Sequence, residues 1–291
     1  MIEPDCAEPF NSCHMPPMSL KLAVYAHFSS SGKVVPYAWP HLDSLSELGF
    51  KLIFVSNSTI CDPHHSRLVE MGAKVIVRDN IGLDFGMWKA ALDRVDLTTV
   101  TELLLTNSSI IGPLVPLAPI FEKAKEWNCD FWGLTDNTEL ALHLQSYFLV
   151  MNERVLRSEA FAAFWQSVLP YKSKDQIVMS YEVGFTVWLQ EQGFSWRPLV
   201  YQKDVWDTYL QSRNRVRRIA DKIPGRGLQM GNTSLLFPDL LLKMGVPFLK
   251  SSLLKHGSRR INTQNALDLL VKNWNHENPS VEQIEIECAR K

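Results

Sequence analysis

Val75-Ile-Val-Arg-Asp-Asn-Ile-Gly-Leu-Asp-Phe-Gly-Met-Trp-Lys89 opens a stretch, VIVRDNIGLDFGMWKAALDRVDLTTVTELLLTNSSIIGPL, that runs to Leu114. It reads as strand, polar loop, helix, strand, polar loop. Val75-Ile76-Val77 is a short β-branched run of the kind buried in parallel sheets. Arg78-Asp79-Asn80 end it, and Gly82 lets the backbone turn. Asp84 reads as the N-cap of a helix carrying Phe85, Trp88, Ala91, Leu92 and Val95. Leu103-Leu104-Leu105 is a second strand, closed by Thr106-Asn107-Ser108-Ser109. Ligands in open α/β sheets collect at the carboxyl ends of strands. The active site is therefore expected where these two strands end.

Working outward, the same pattern repeats on the amino-terminal side. Leu20 to Tyr25 is a strand, ending in Ala26-His27-Phe28 and a Ser/Gly loop. Leucines at 42, 45 and 48 give a helix over Trp39 to Leu48. Leu52 to Val55 is a strand ending in Ser56-Asn57-Ser58, and a helix follows around His65 to Met71. This β-α-β-α-β order predicts a parallel sheet with right-handed crossovers. The dinucleotide glycine fingerprint is missing after the first strand, which argues against NAD.

On the carboxyl side, helices are expected over 119–127, 158–169, 177–192 and 234–244. Strands are expected over 131–134, 143–151 (antiparallel) and 196–201. Residues 1–18 and 276–291 read as tails around one domain, 19–275. RNRVRRIADK, residues 213–222, is the one basic run. Its ordinary reading is a solvated helix face, and its other reading is a peripheral membrane contact.

Composition narrows the function. The 291 residues are 46% apolar, enough for a substantial core, and the formal net charge of −1 offers no field for nucleic acid. The five cysteines form no C-x-x-C pair and fit reduced thiols. No apolar run approaches the ~18 residues of a membrane span, and the amino terminus has no secretory pattern. A cytoplasmic protein is expected, with the inner membrane face as its place of contact.

R-x-N-x-G-x-D-F-G-x-W-K (Arg78 to Lys89) and L-L-x-x-N-x-S-x-x-G-P-L (Leu104 to Leu114) resemble the rhamnan synthesis protein F family. F-W-G-L-T-D (131–136), H-L-Q-S-Y-F-L-V (143–150), Y-E-V-G (181–184) and P-F-L-K (247–250) follow in the family's order. The resemblance implies a GT-A-like α/β fold with a mostly parallel sheet flanked by helices. It also implies a glycosyltransferase that builds bacterial surface polysaccharide from a nucleotide sugar, with dTDP-L-rhamnose as the leading donor and a glycan or lipid-linked glycan as acceptor. Another hexose or deoxysugar, or an inert carbohydrate-binding module with the same fold, are the alternatives.

Expected site residues follow from the strand ends and the resemblance together. Ala26, His27, Phe28 and Asn57 are assigned to base and ribose, with His27 or Phe28 stacking on the base. Arg78 and Asn80 are assigned to the diphosphate, since an arginine at an inner strand end is costly to bury without an anion. Asn107-Ser108-Ser109 stands where GT-A enzymes keep a metal-binding D-x-D. The hydroxyl of Ser108 is a poor ligand for a divalent cation, so Mg²⁺ or Mn²⁺ is not expected to be essential. Lys250 and His256 are set to close over the diphosphate, and His256 is the one residue given a possible metal role. Thr135, His143 and Gln145 are placed on the acceptor side. Glu182 is the expected general base, with Asp136 in second place.

Overall fold

The computed structural model describes residues 20–212, 231–258, 260–274 and 280–284. Both faces of its sheet start from β1 (Leu20–His27), whose side chains alternate between two apolar layers. Ala23 and Tyr25 enter one layer, while Leu22, Val24 and Ala26 enter the other. Because both faces are covered, the strand is apolar throughout rather than alternating, as a buried parallel strand must be.

β2 (Phe50–Ser56) and β3 (Lys74–Val77) lie in parallel on one side of β1. β4 (Val100–Asn107) lies in parallel on its other side. The helices between them are α1 (Ala38–Glu47), α2 (His64–Glu70) and α3 (Leu83–Leu92). A two-residue strand, β5 (Ile110–Ile111), and helix α4 (Ala118–Lys125) follow. The sheet then continues with β6 (Phe131–Asn137), β7 (His143–Leu144), β8 (Phe148–Asn152) and β9 (Trp196–Val200). Its order is β3-β2-β1-β4-β8-β6-β7, with β9 on β6. β8 runs antiparallel to both β4 and β6, β7 is antiparallel to β6, and the other strands are parallel. The expected α/β class, a mostly parallel sheet with helices on its faces, is the observed one.

Four local expectations need correction. Gly82, in the left-handed region at φ 79°, precedes α3 as its N-cap, and Asp84 sits inside the first turn without capping it. The single strand expected over 143–151 is two, β7 and β8, which run in the same direction and are both antiparallel to β6, because residues 145–147 leave the ladder and the register on β6 slips between them. The helix expected over 234–244 is two short ones, Thr233–Leu236 and Pro238–Lys243, because proline cannot donate the bond that would join them. β3 is the sheet's edge strand, so Arg78 ends an outer strand, not an inner one.

Between β8 and β9 lie α5 (Glu153–Leu156), which packs on β4 and β8, and α6 (Glu159–Ser167), and then α7 (Lys174–Ile177), a π-helical turn (Val178–Val183) and α8 (Gly184–Glu191), which form one run. α9 (Gln202–Gln211) then leads to the residues beyond 212. The basic run 213–222 lies outside the described residues. β10 (Leu249–Lys250) returns to pair antiparallel with β5. Residues 280–284 belong to the segment expected to be a polar tail, yet Ile284 is fully buried in the main core. Among the described residues no helix is long and apolar enough to cross a membrane.

Candidate active site

The carboxyl ends of β1 and β4 form the floor of the site. Ser108 N–H donates to the Ala26 carbonyl, and Phe28 N–H donates to Ser108 Oγ at 3.1 Å. Ser108 is thereby a brace between two strand ends. His27 is fully buried and locked: its Nε2 accepts from Val35 N–H at 3.2 Å, so Nδ1 carries the proton that faces Ser56 Oγ. It cannot stack on a base. Phe28 is 41% exposed and presents the aromatic face that stacking requires. Asn57 accepts from Ser29 N–H at 2.7 Å and donates back to the Ser29 carbonyl at 3.0 Å, which clamps the Ser/Gly loop to the end of β2.

Asn107 is buried and links two elements. Its Oδ1 accepts from both the N–H and the hydroxyl of Ser109, and its Nδ2 donates to Asp84 Oδ2 at 2.8 Å. Asp84 reaches this point because it lies on the side of α3 that faces the sheet, near Trp88, whose indole N–H donates to the Thr106 carbonyl. Burial raises the Asp84 carboxyl to about 6; the charge of Glu182 pushes the same way, and Lys250 and Asn107 oppose it.

Lys250 arrives from the other end of the chain. The β5–β10 ribbon holds it just after the Asn107–Ser109 loop, and Ser251 N–H donates to the Ser109 carbonyl. Its ammonium stands 4.0 Å from the centre of the Tyr147 ring. Burial lowers its pKa to about 8, against the pull of Glu182 and Asp84. Glu182 accepts from Ser146 N–H at 3.3 Å. It stands within the π turn, well after the helix start at Lys174. Single π turns inside longer helices recur at functional sites, because the extra residue changes which way a side chain faces.

The acceptor-side residues are inside the protein. Thr135 Oγ1 bonds both Gln145 Oε1 and Tyr147 OH, each at 2.7 Å. His143 is 2% exposed, with Nδ1 at 2.7 Å from the Ala141 carbonyl. Thr135 and Gln145 brace the Tyr147 hydroxyl. Asp136 is 5% exposed and accepts from Gln202 N–H at the start of α9; burial raises its pKa. That leaves Glu182 as the carboxylate better placed to meet a substrate.

Two expected donor ligands are elsewhere. Asn80 is exposed in the loop after β3. The Arg78 guanidinium lies against Gly86, whose missing Cβ would come within 2.6 Å of Nη1. Gly86 and Asp84 are roughly 200° apart around α3, so Arg78 is on the opposite face from the cluster. His256 is exposed at the end of helix Ser252–His256. No group of three or more His, Cys, Asp or Glu side chains that could hold a metal gathers among the described residues.

The sequence reading passed over Asp84 and Tyr147 as site residues. Both stand inside quoted motifs, D-F-G and H-L-Q-S-Y-F-L-V, and that was the available signal.

The model of the family described as "Rhamnan synthesis protein F" matches residues 52–284. Uncharacterized protein y4gN of Sinorhizobium fredii is 25% identical over 213 residues, which cover 70% of this chain and 55% of that protein. Virulence protein VirA of Vibrio anguillarum is 37% identical over 81 residues, 26% of this chain and 25% of that one. The chain thus matches about half the length of the first of these relatives and a quarter of the second. Among solved structures, glucosyl-3-phosphoglycerate synthase from Mycobacterium tuberculosis has a TM-score of 0.32 at 15% identity, covering 46% of this chain and 58% of that one. With most of its length matched by that one family model, the chain belongs to the rhamnan synthesis protein F family.

Proposed function

We propose that this protein is a nucleotide-sugar glycosyltransferase that extends a bacterial surface polysaccharide, using a glycan or lipid-linked glycan as acceptor. The observation that carries the reading is the gathering of Asp84, Asn107, Tyr147, Glu182 and Lys250 from five separate segments at the carboxyl ends of β1 and β4. Membership of a family named for rhamnan synthesis makes dTDP-L-rhamnose the first donor to test.

In this reading the exposed ring of Phe28 stacks on the base, and Ser109 hydrogen-bonds the ribose or diphosphate. Lys250 faces the diphosphate. As the bond from the sugar's anomeric carbon to the diphosphate oxygen breaks, the electron pair leaves with that oxygen, and the ammonium stabilises the growing charge. The acceptor oxygen forms the new bond to the anomeric carbon, and its proton passes to Glu182.

A divalent cation fits this donor set poorly. The hydroxyl of Ser108, at the centre of the loop, is engaged by Phe28 N–H, the side-chain carbonyl of Asn107 is taken by Ser109, and the Lys250 ammonium already acts on both carboxylates. We assign the electrostatic work to Lys250.

Release of nucleoside diphosphate from a panel of nucleotide sugars, with a glycan acceptor present, tests the proposal. Glu182→Gln is expected to lower kcat by ~10²–10⁴ with donor affinity nearly unchanged. A fully active Glu182→Gln enzyme would remove Glu182 from the mechanism. Binding of donor without any release, across the panel, would favour an inert module with this fold.

A further inference from the structure

On the outer face of α3, away from the site just described, a cavity of 210 Å³ is lined by Arg78, Ile81, Gly86, Lys89, Val168 and Leu169 among others. The Arg78 guanidinium enters it with Nη1 buried and without a hydrogen bond, and Arg78 makes no ion pair among the described residues. The other charges nearby do not supply one. Lys89 and Asp93, both in the cavity wall, pair with each other at 3.2 Å, and the exposed Asp79 acts on Arg78 only through its charge, which Arg94 opposes.

A guanidinium nitrogen buried without a hydrogen bond is costly, and the group's planar fork matches the oxygens of a phosphate or carboxylate. The cradle is specific to this arrangement, because any side chain at Gly86 would occupy the place of Nη1. The rim is apolar: Ile81 is 36% exposed and Leu169 53%. Cation at the base and hydrocarbon at the mouth describe a ligand with one oxyanion and a small apolar body.

We propose that this cavity binds a phosphate monoester, with its oxyanion on Arg78 and its organic group against Val168 and Leu169. The site stands apart from Lys250 and Glu182, so its failure would leave the transferase reading untouched.

Phenyl phosphate and inorganic phosphate, titrated by calorimetry into the full chain, are the probes. Phenyl phosphate is expected to bind at least tenfold more tightly than inorganic phosphate. Arg78→Gln should weaken it tenfold or more, Arg78→Lys by less, and Lys250→Met by less than twofold. Leu169→Asp, a substitution at an exposed position, should also weaken it and guards against a misfolded Arg78 variant. Vesicles of phosphatidylcholine with about one-fifth phosphatidic acid distinguish the sources: retention that depends on Arg78 marks a lipid headgroup, and phenyl phosphate binding without retention marks a soluble ester. The proposal is overturned if millimolar phenyl phosphate does not bind. It is equally overturned if Arg78→Gln and Leu169→Asp bind it as the native chain does, or if Lys250→Met alone abolishes binding.

Discussion

At the residue scale, Asp84 and Lys250 are a strained pair of opposite charges. The carboxyl of Asp84 rises from 3.8 to about 6 on folding, so between those values the folded chain holds a proton that the unfolded chain has lost. Stability therefore falls as pH rises through that window. Lys250 moves from 10.5 down to about 8, so between about 8 and 10.5 it is the unfolded chain that holds the extra proton. Stability there climbs with pH. The two limbs leave a minimum between about pH 6 and 8, where both groups are charged. Urea unfolding from pH 4 to 10 is expected to show it, and Asp84→Asn should remove the acidic limb and raise stability at pH 7 by ~1–3 kcal/mol. An Asp84→Asn profile that follows the native one would show that the carboxyl is not strained. Asn107→Ala should act the other way, lifting the Asp84 pKa further by removing the bond to Nδ2, an outcome that carboxyl NMR chemical shifts against pH would register.

At the element scale, what the sequence revealed was periodicity, and what it hid was direction. The apolar runs of β1 to β4 and the leucine spacing of α1 place those elements to within a few residues. The helix was legible over 177–192, within a few residues of the observed run 174–191, but the π turn that carries Glu182 leaves no mark on hydrophobic spacing. Arg78 was legible as a cation at a strand end. Its turn to the far side of α3 depends on Gly86, eight residues on, accepting it. The backbone there is tight: a Cβ on Gly86 would come within 2.2 Å of the Ile81 carbonyl oxygen. Gly86→Ala is expected to cost ~1–3 kcal/mol by forcing the loop away from α3. A thermal melt that shows no loss would mean the loop yields freely.

At the scale of the whole molecule, the site exists only because distant segments close on it. Asp84 and Asn107 come from the first half, Tyr147 and Glu182 from the middle, and Lys250 from a ribbon that β5 and β10 form across more than a hundred residues. No local motif announces that closure, which is why the ordered series of motifs was more informative than any one of them. The closing segment itself extends to Ile284, which is fully buried. Ile284→Ala is expected to destabilise the fold by ~2–5 kcal/mol, measured by urea unfolding, whereas a dispensable tail would show no change. The central claim is that the Lys250 ammonium, without a divalent cation, holds the diphosphate at the ends of β1 and β4. Calorimetric titration of dTDP, UDP and GDP in EDTA tests it most directly. The account predicts that at least one binds the native chain without metal and that Lys250→Met, still folded, weakens it by tenfold or more; binding that appears only when Mn²⁺ is restored, or that Lys250→Met leaves intact, would contradict it.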